Sequence, residues 1–326
     1  MCRLAVLVAF FCSGLTALLA RPALANDPPR SSQPVRFIVT FAPGGGVDAV
    51  ARIIAERLTS LVGQNVVVEN RPGAAGVIAG RQVASADPDG RTVLVTSNPL
   101  LINQVLKPET NFVISKELTP VASVAPQSIV IVTSSESPAS SLKDLFEQAR
   151  KRSINYSTTG TGSLSHLAVE FLLASQSGVQ MQHIPFQGAA PALTAVMAGQ
   201  VEVGSSTVPP AVPLLTSNKL RALAVANASR SSVLPSVPTF SEAGFATLPV
   251  SAWVGFFVSA KTPKSVADRL SQDILAAADQ DDSKKKFLEM GFEPSSSGST
   301  AFSRELQAEL DTWTGVAAKA KLLSVQ

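Results

Sequence analysis

Short β-rich segments alternate with amphipathic helical segments along most of this chain, and this alternation restricts its fold class more than any other feature. Residues 34–41 are typical of a strand, and residues 47–63 carry apolar side chains at helical spacing up to a glycine stop. Strand patterns follow at 65–70 and 91–97, on either side of a weaker helix at 74–86. A strand–helix–strand–helix–strand order predicts a parallel sheet with right-handed crossovers.

The alternation resumes after residue 120 and indicates a second α/β unit. The predicted strands here are 128–134, 154–160, 179–186, 201–206, 220–228 and 251–259. The predicted helices are 141–152, 163–175, 190–199 and 209–217, with further helical patterns in 263–290 and 300–322. We expect an α/β fold with two lobes, joined by segments near residues 122–127 and within 229–252.

Residues 1–25 are predicted to be a secretory signal peptide. Arg3 precedes an apolar run over residues 4–19, and residues 23–25 match the A-x-A cleavage pattern. An uncleaved membrane anchor is the alternative, but the run is short for a membrane span and is interrupted by Ser, Gly and Thr. Cleavage after Ala25 is expected to release the chain into the periplasm.

Removal of this segment would change the composition of the mature chain. Both cysteines, Cys2 and Cys12, would be lost, which leaves no thiol for a disulfide or a metal site. Loss of Arg3 and Arg21 would leave 25 basic and 24 acidic residues, a net charge of +1. Because lysine and arginine do not cluster either, the chain lacks the electrostatic footprint of a nucleic-acid-binding protein.

Three glycines separate the first predicted strand from the first predicted helix, in the segment FAPGGGVDAVAR at 41–52. Glycine lets the backbone approach a ligand, and the first N–H groups of a helix lack internal partners at its positive end. A carboxylate or phosphate could bind there without a basic side chain, although a ligand-free turn explains the loop equally well. The P-loop lysine and the GxGxxG pattern are both missing, which argues against a nucleotide.

The candidate ligand-binding residues of this first glycine loop are Ala42, Pro43, Gly44, Gly45, Gly46 and Asp48. Asp48 is expected to accept loop N–H groups or to pair with Arg52 four residues later, rather than to touch an anion. Valine at Gly45 is expected to abolish binding, because a β-branched residue disfavours positive φ and blocks close approach of the ligand.

The segment STTGTGSLSH at 157–166 is a second glycine loop between a strand and a helix. Its candidate ligand-binding residues are Thr159, Gly160, Gly162, Ser163 and His166, with the N–H groups of residues 161–165 directed at the ligand. Both loops follow the carboxyl ends of strands, where open α/β sheets bind ligands. Four hydrogen bonds to a charged ligand contribute about 6–12 kcal/mol, and micromolar binding requires about 8 kcal/mol, so backbone amides alone can hold a dicarboxylate.

The chain offers little for catalysis. The G-x-S-x-G pattern is absent, and two isolated histidines without cysteine make a zinc site unfavourable. His166 is expected to line or brace the second glycine loop, His183 to be packed, and Trp253 to fill a core rather than line the cleft. We expect no enzymatic activity, cofactor or metal; the alternative is a secreted serine hydrolase that uses Ser163 and His166.

Seven segments together resemble the extracytoplasmic solute receptors of the tripartite tricarboxylate transporter type, the Bug family. They are PVRFIVTFAPGGGVDAVARIIAERL, GQNVVVENRPGAAGVIAG, DPDGRTVL, NYSTTGTGSLSHLAVEFL, HIPFQGAAPALTAVMAGQVEV, LRALAVANASRS and LPSVPTFSEAG, and the resemblance extends over residues 34–322. It implies a type II periplasmic binding protein whose two lobes, each a mostly parallel sheet flanked by helices, close on the ligand. Lobe 1 would comprise residues 26–124 and 252–326, and lobe 2 residues 125–251.

The resemblance also implies the ligand class and the partner. Family ligands are small carboxylates, held by backbone groups and water at the loop matching residues 42–48 and by the loop matching residues 159–166. Ser97, Asn98 and Ser206 complete the site that we predict. The receptor would act as a monomer and deliver its ligand to membrane permease subunits; a sensor subunit that presents its ligand to a signalling partner is a further alternative.

Four residues at three sites depart from the family pattern. Ala42 replaces the first of two prolines, Phe186-Gln187 stands where Tyr-Lys/Arg is frequent, and Ser206 stands where Asp is common. Absence of that acid disfavours a ligand with an α-amino group, because an ammonium buried without a partner is costly. Absence of the base weakens the case for a highly charged tricarboxylate.

Overall fold

The computed structural model describes residues 33–248 and 250–319. The predicted signal peptide, both cysteines and the predicted cleavage site lie outside the described residues. The strands are β1 (Val35–Val39), β2 (Val66–Asn70), β3 (Thr92–Thr96), β4 (Leu118–Gln127), β5 (Ile129–Ser134), β6 (Ile154–Thr158), β7 (Met181–Pro185), β8 (Val203–Thr207), β9 (Leu220–Val225), β10 (Ala252–Ser259) and β11 (Ser296–Gly298).

The α-helices are α1 (Gly46–Val62), α2 (Val77–Ala84), α3 (Pro99–Leu106), α4 (Ile114–Glu117), α5 (Leu142–Lys151), α6 (Leu164–Ala174), α7 (Ala189–Met197), α8 (Val208–Thr216), α9 (Lys264–Ala278), α10 (Asp281–Glu289) and α11 (Ser299–Lys319). Helix α2 is shorter than the predicted helix at 74–86, because Ala74 and Ala75 take positive φ and form a 3₁₀ turn over Ala74–Gly76. Within the described ranges, no helix is both long enough and apolar enough to cross a membrane.

The strands form two mixed sheets. The first has the order β11-β4-β10-β3-β1-β2 and the second β7-β6-β8-β5-β9. Strand β1 is parallel to β2 and β3, and β6 is parallel to β7 and β8, as the strand–helix alternation predicts. Strand β10 is antiparallel to both of its neighbours, and so is β5. The prediction of two helix-flanked sheets is confirmed, but the sheets are mixed rather than mostly parallel.

Strands β5 and β10 are the first strands that the chain forms after it passes from one sheet to the other, and the short strand β11 is also antiparallel to its neighbour β4. The chain leaves the first sheet at Gln127, enters the second at Ile129, and returns between Val225 and Ala252. Neither β5 nor β10 therefore follows a helical crossover within its own sheet. A helical crossover places the two strands that it joins parallel, and this constraint does not apply to β5 or β10. The lobe boundaries that we predict from the sequence stay a prediction.

Apolar cores cover the faces of both sheets. Phe37 of β1 and Phe256 of β10 pack on one face of the first sheet, and Trp253 and Phe257 pack on the other. Trp253 is buried in that second core, as predicted. Helix α11 contributes to both sheets, because its first half packs in the core around Trp253 and its second half packs in a core of the second sheet, where Trp313 lies.

Candidate functional site

The first glycine loop joins β1 to α1 and exposes the start of that helix. Helix α1 begins at Gly46, its N-cap is Gly45, and no side chain caps it. Residues 42–46 are exposed. Because the first N–H groups of α1 have no intrahelical partner, this loop presents free donors at the positive end of a helix. That arrangement is suited to a carboxylate or another anion.

The buried carboxylate of Asp48 stabilises this loop through hydrogen bonds. It accepts hydrogen bonds from the Gly44 N–H at 2.9 Å, from Arg52 at 3.0 Å and from the Asn70 side chain at 2.8 Å. Burial opposes its ionisation, but these bonds lower the pKa of Asp48 below its ordinary value. Both roles predicted for Asp48 are confirmed, because it accepts a loop N–H group and pairs with Arg52.

The three glycines of the first loop differ in what they require. Gly44 has a φ of +85°, whereas Gly45 has extended backbone with a φ of −78°. A Cβ at Gly46 would lie 2.8 Å from the ring of Phe292. The expectation of positive φ at Gly45 is wrong, because an N-cap residue takes β-region backbone; positive φ belongs to Gly44.

The second glycine loop joins β6 to α6, and Ser163 is the N-cap of that helix. The Ser163 hydroxyl donates to the Gly160 carbonyl at 2.7 Å and accepts the His166 backbone N–H at 3.2 Å. Its hydrogen bond to His166 therefore involves the backbone of that residue. This geometry gives Ser163 a structural role and explains its spacing from His166 without catalysis.

Only part of the second loop is free to bind a ligand. The Gly162 N–H donates to Nδ1 of His166 at 3.1 Å, which confirms the predicted brace, and the Ser163 N–H donates to the Gly160 carbonyl at 3.2 Å. The expectation that all N–H groups of 161–165 face a ligand is therefore wrong for these two. The N–H groups of Leu164 and Ser165, at the start of α6, keep no intrahelical partner.

Ser97 and Asn98 follow β3 and are buried. The side-chain NH₂ of Asn98 donates to Glu309 at 2.6 Å, and the side-chain oxygen of Asn98 accepts the backbone N–H of Trp253 at 3.2 Å. Glu309 also accepts the indole N–H groups of Trp253 and Trp313, at 2.6 and 2.8 Å. Burial raises the pKa of Glu309 to about 7 in spite of these donors. No local pattern indicates a role for Glu309, because two of its partners, Asn98 and Trp253, are distant along the chain.

The junction between β8 and α8 contrasts with the two glycine loops. The Val208 N–H donates to the Ser128 carbonyl at 2.9 Å, and Pro209 and Pro210 have no N–H to offer. Ser206 is fully buried, and its hydroxyl has no hydrogen-bond partner among the described residues. This junction therefore lacks the free amides that both glycine loops provide.

Packing contacts relate these junctions to one another. Phe292, which lies under Gly46, is preceded by Gly291, where a Cβ would lie 2.9 Å from Cα of Pro209. A Cβ at Gly162 would lie 2.7 Å from Leu106, at the end of the helix that follows Asn98. Gly291 therefore contacts the β8–α8 junction, and Leu106, the last residue of α3, contacts the second glycine loop. Within the described residues, no group of three or more His, Cys, Asp or Glu could hold a metal ion.

The chain is similar in sequence and in fold to several known proteins. BugT of Bordetella pertussis (strain Tohama I) is 31% identical over 320 residues, which cover 97% of each chain. A solved structure of R. palustris Rpa4515 with adipate is 30% identical, with a TM-score of 0.76, and covers 88% of this chain and 97% of that one. MatC (Rpa3494) from Rhodopseudomonas palustris with bound malate is 30% identical, with a TM-score of 0.71 and coverages of 87% and 98%.

A protein-family model also matches most of the chain. Residues 50–322 match the family described as "Tripartite tricarboxylate transporter family receptor". The match spans both sheets and includes the second glycine loop. The chain therefore belongs to the tripartite tricarboxylate transporter receptor family.

Proposed function

We propose that this solute receptor holds a small dicarboxylate between the first and second glycine loops. The observation that carries the proposal is the pair of helix starts, at Gly46 and Leu164, whose first N–H groups lack intrahelical partners. The family is one of solute receptors rather than enzymes, so the hydrolase alternative is not favoured. Rpa4515 with adipate and MatC with bound malate are relatives with dicarboxylates bound, which supports this ligand class.

The chemistry of the β8–α8 junction supports a ligand without an amino group. Ser205, Ser206 and Thr207 are uncharged, and the two prolines that follow Val208 remove amide donors from the helix start. An ammonium group would find no carboxylate in this segment, and burying it without a partner would be costly. We therefore expect succinate-like compounds to bind more tightly than aspartate-like compounds.

The protein is proposed to work as a monomer in the periplasm, after its signal peptide is cleaved after Ala25. It would deliver its ligand to the permease subunits of a tripartite tricarboxylate transporter. The family match and the apolar segment at residues 4–19 support this assignment. N-terminal sequencing of the exported protein tests the cleavage site, and size-exclusion chromatography with light scattering tests the monomer.

A thermal-shift screen tests the ligand class. Adipate, malate, succinate, glutarate and citrate should be compared with aspartate and glutamate at equal concentration. A ligand at about one hundred times its Kd stabilises the folded protein by about 2.7 kcal/mol, which is readily detected. We expect dicarboxylates to raise the Tm most. A screen in which no carboxylate raises the Tm would refute the proposed ligand class.

A further inference from the structure

Four side chains form a cluster behind the second glycine loop. They are Tyr156 on β6, His166 and Glu170 on α6, and His183 on β7, and we name them the histidine cluster. The two imidazole rings are stacked, with centroids 3.8 Å apart and an interplanar angle of 9°. The ring of Tyr156 stacks on His183 at 5.1 Å. His166 is only 3% exposed, so its hydrogen bonds depend on these neighbours.

The hydrogen bonds of His166 require one protonation state. The Gly162 N–H donates to Nδ1 at 3.1 Å, so Nδ1 must carry a lone pair. In the neutral ring the hydrogen is then on Nε2, which lies 3.5 Å from a carboxylate oxygen of Glu170. The Glu170 carboxylate, an acceptor, therefore faces the protonated Nε2, and the Gly162 N–H, a donor, faces the unprotonated Nδ1.

Glu170 and Tyr156 stabilise this tautomer. The Tyr156 hydroxyl donates to the same Glu170 oxygen at 2.5 Å. Burial, with the Glu170 contact, raises the pKa of Tyr156, so its hydroxyl stays a donor. Burial opposes ionisation of Glu170, but hydrogen bonds from His166 and Tyr156 lower the pKa of Glu170 below its ordinary value. Glu170 is thus an ionised acceptor for both groups.

His183 supports the other glycine of the loop. Its Nε2 lies 2.7 Å from the Thr158 hydroxyl, which donates to the Gly160 carbonyl at 3.2 Å. Burial and the facing His166 ring lower the pKa of His183 to about 4. His183 therefore stays neutral at a pH where an ordinary histidine begins to charge, and the two rings hold Gly160 and Gly162 from one side.

We propose that neutral His166 is the positioning residue of the second glycine loop, and that its protonation releases the Gly162 N–H and weakens carboxylate binding. The proposal rests on the proposed function of this loop. Protonation would place a hydrogen on Nδ1, directly against the N–H of Gly162. The effect has one direction: ligand affinity is full when His166 is neutral and is lower when its Nδ1 carries a hydrogen. The titratable groups that face the ring are Glu170, His183 and Tyr156.

The first test uses the protein without ligand. In protein with ¹⁵N-labelled histidine and glycine, long-range correlation spectra give the tautomer of His166, and the Gly162 amide is followed from about pH 8 to about pH 5. We expect the Nε2–H tautomer and a Gly162 amide shift that titrates together with His166. An Nδ1–H tautomer, or a Gly162 amide that does not follow His166, would overturn the proposal.

Three variants sharpen this test. His166→Asn keeps an acceptor near the position of Nδ1 but cannot titrate, so the pH response of Gly162 should disappear. Glu170→Gln removes the charge that favours the imidazolium, so the midpoint of the response should move to lower pH. His183→Asn is the matched control, because it removes an imidazole but leaves the Gly162 contact, and it should keep the response.

Calorimetry with adipate then connects the loop to binding. Between about pH 8 and about pH 5, the affinity of the unsubstituted protein should fall about three- to tenfold more than the affinity of His166→Asn. Because adipate titrates equally in both experiments, comparing the two proteins cancels the contribution of adipate itself. An equal fall in both proteins would overturn the effect on binding. If adipate binds at no pH, the proposed ligand class has failed for adipate, while the Gly162 titration still decides whether His166 positions the loop.

Discussion

The N–H of Gly44 is bound by the carboxylate of Asp48, and the N–H of Gly162 is bound by the imidazole of His166 in the same way. In both pairs the acceptor lies four residues after the glycine, at 2.9 and 3.1 Å. Both glycines have positive φ, +85° and +72°. The two loops therefore share one construction, a left-handed glycine whose amide is tied to the first turn of the following helix. They differ in the acceptor, which is a carboxylate in one loop and a titratable ring in the other.

Gly44 should be the most sensitive glycine of the first loop. Valine at this position must adopt positive φ, which costs about 1–2 kcal/mol, and the loop can escape the strain by releasing its bond to Asp48. We expect Gly44→Val to weaken adipate binding about tenfold or more in calorimetry. Gly45→Ala should bind almost normally, because Gly45 is extended and an added Cβ meets nothing closer than 3.7 Å.

Gly63→Val is the matched control for Gly44→Val. Gly63 has a φ of +66° at the other end of α1 and has open space around it. It should lose stability without a specific loss of affinity, as measured by urea denaturation and calorimetry. Equal losses of affinity in Gly44→Val and Gly63→Val would show that strain in α1, and not the loop, controls binding.

Ligand selection should follow the uncharged β8–α8 junction. Succinate should bind more tightly than aspartate, and glutarate more tightly than glutamate, because each amino acid adds an ammonium that has no acid partner in this segment. Calorimetry on the four compounds at one pH measures the difference. Tighter binding of either amino acid than of its deaminated analogue would contradict the prediction.

Ligand binding should close the two lobes, and the second glycine loop should be needed for closure. A ligand shifts an open–closed equilibrium only by its difference in affinity for the two states, and amides of a second lobe supply such a difference. Small-angle scattering with saturating adipate should show a smaller radius of gyration. An identical radius with ligand demonstrably bound would favour a rigid site on one lobe.

Gly162→Val should weaken affinity and leave the liganded protein open, because a Cβ there would lie 2.7 Å from Leu106 and the backbone has positive φ. His166→Ala should have a smaller effect than Gly162→Val, since it removes the brace but not the loop. Gly178→Val is the matched control, with a φ of +70° and no atom within 4 Å of an added Cβ. Loss of closure in Gly178→Val as well would remove the role that we assign to the loop.

The stability of the protein should decrease with rising pH because of Glu309. Burial raises the pKa of Glu309 from 4.5 to about 7, so the folded protein holds this proton more tightly than the unfolded chain. The stabilisation is present in full below the ordinary pKa and is lost as the pH rises through about 7. Urea denaturation at a series of pH values should show that Glu309→Gln flattens this decrease. Glu289→Gln, at an exposed carboxyl, should leave it unchanged.

Several features of the candidate site could be inferred from residues close together in the sequence. Asp48 lies four residues from Arg52, and Ser163 lies three residues before His166, so helical periodicity alone places these groups within reach of each other. The free N–H groups at Gly46 and Leu164 also follow from local order, because a glycine loop between a strand and a helix exposes the helix start. The prediction of a positive φ at Gly45 is nevertheless wrong, because the sequence does not show which of three consecutive glycines caps the helix.

The alternation of strand and helix patterns predicts helix-flanked sheets with two glycine loops at strand ends, because side-chain periodicity and turn chemistry act over a few residues. Tertiary packing sets the antiparallel direction of β5 and β10, the contact of Glu309 with Trp253, and the stacking of His183 on His166. These features join residues that are far apart along the chain. Their energies depend on desolvation and on partners brought together by packing, which no local pattern encodes.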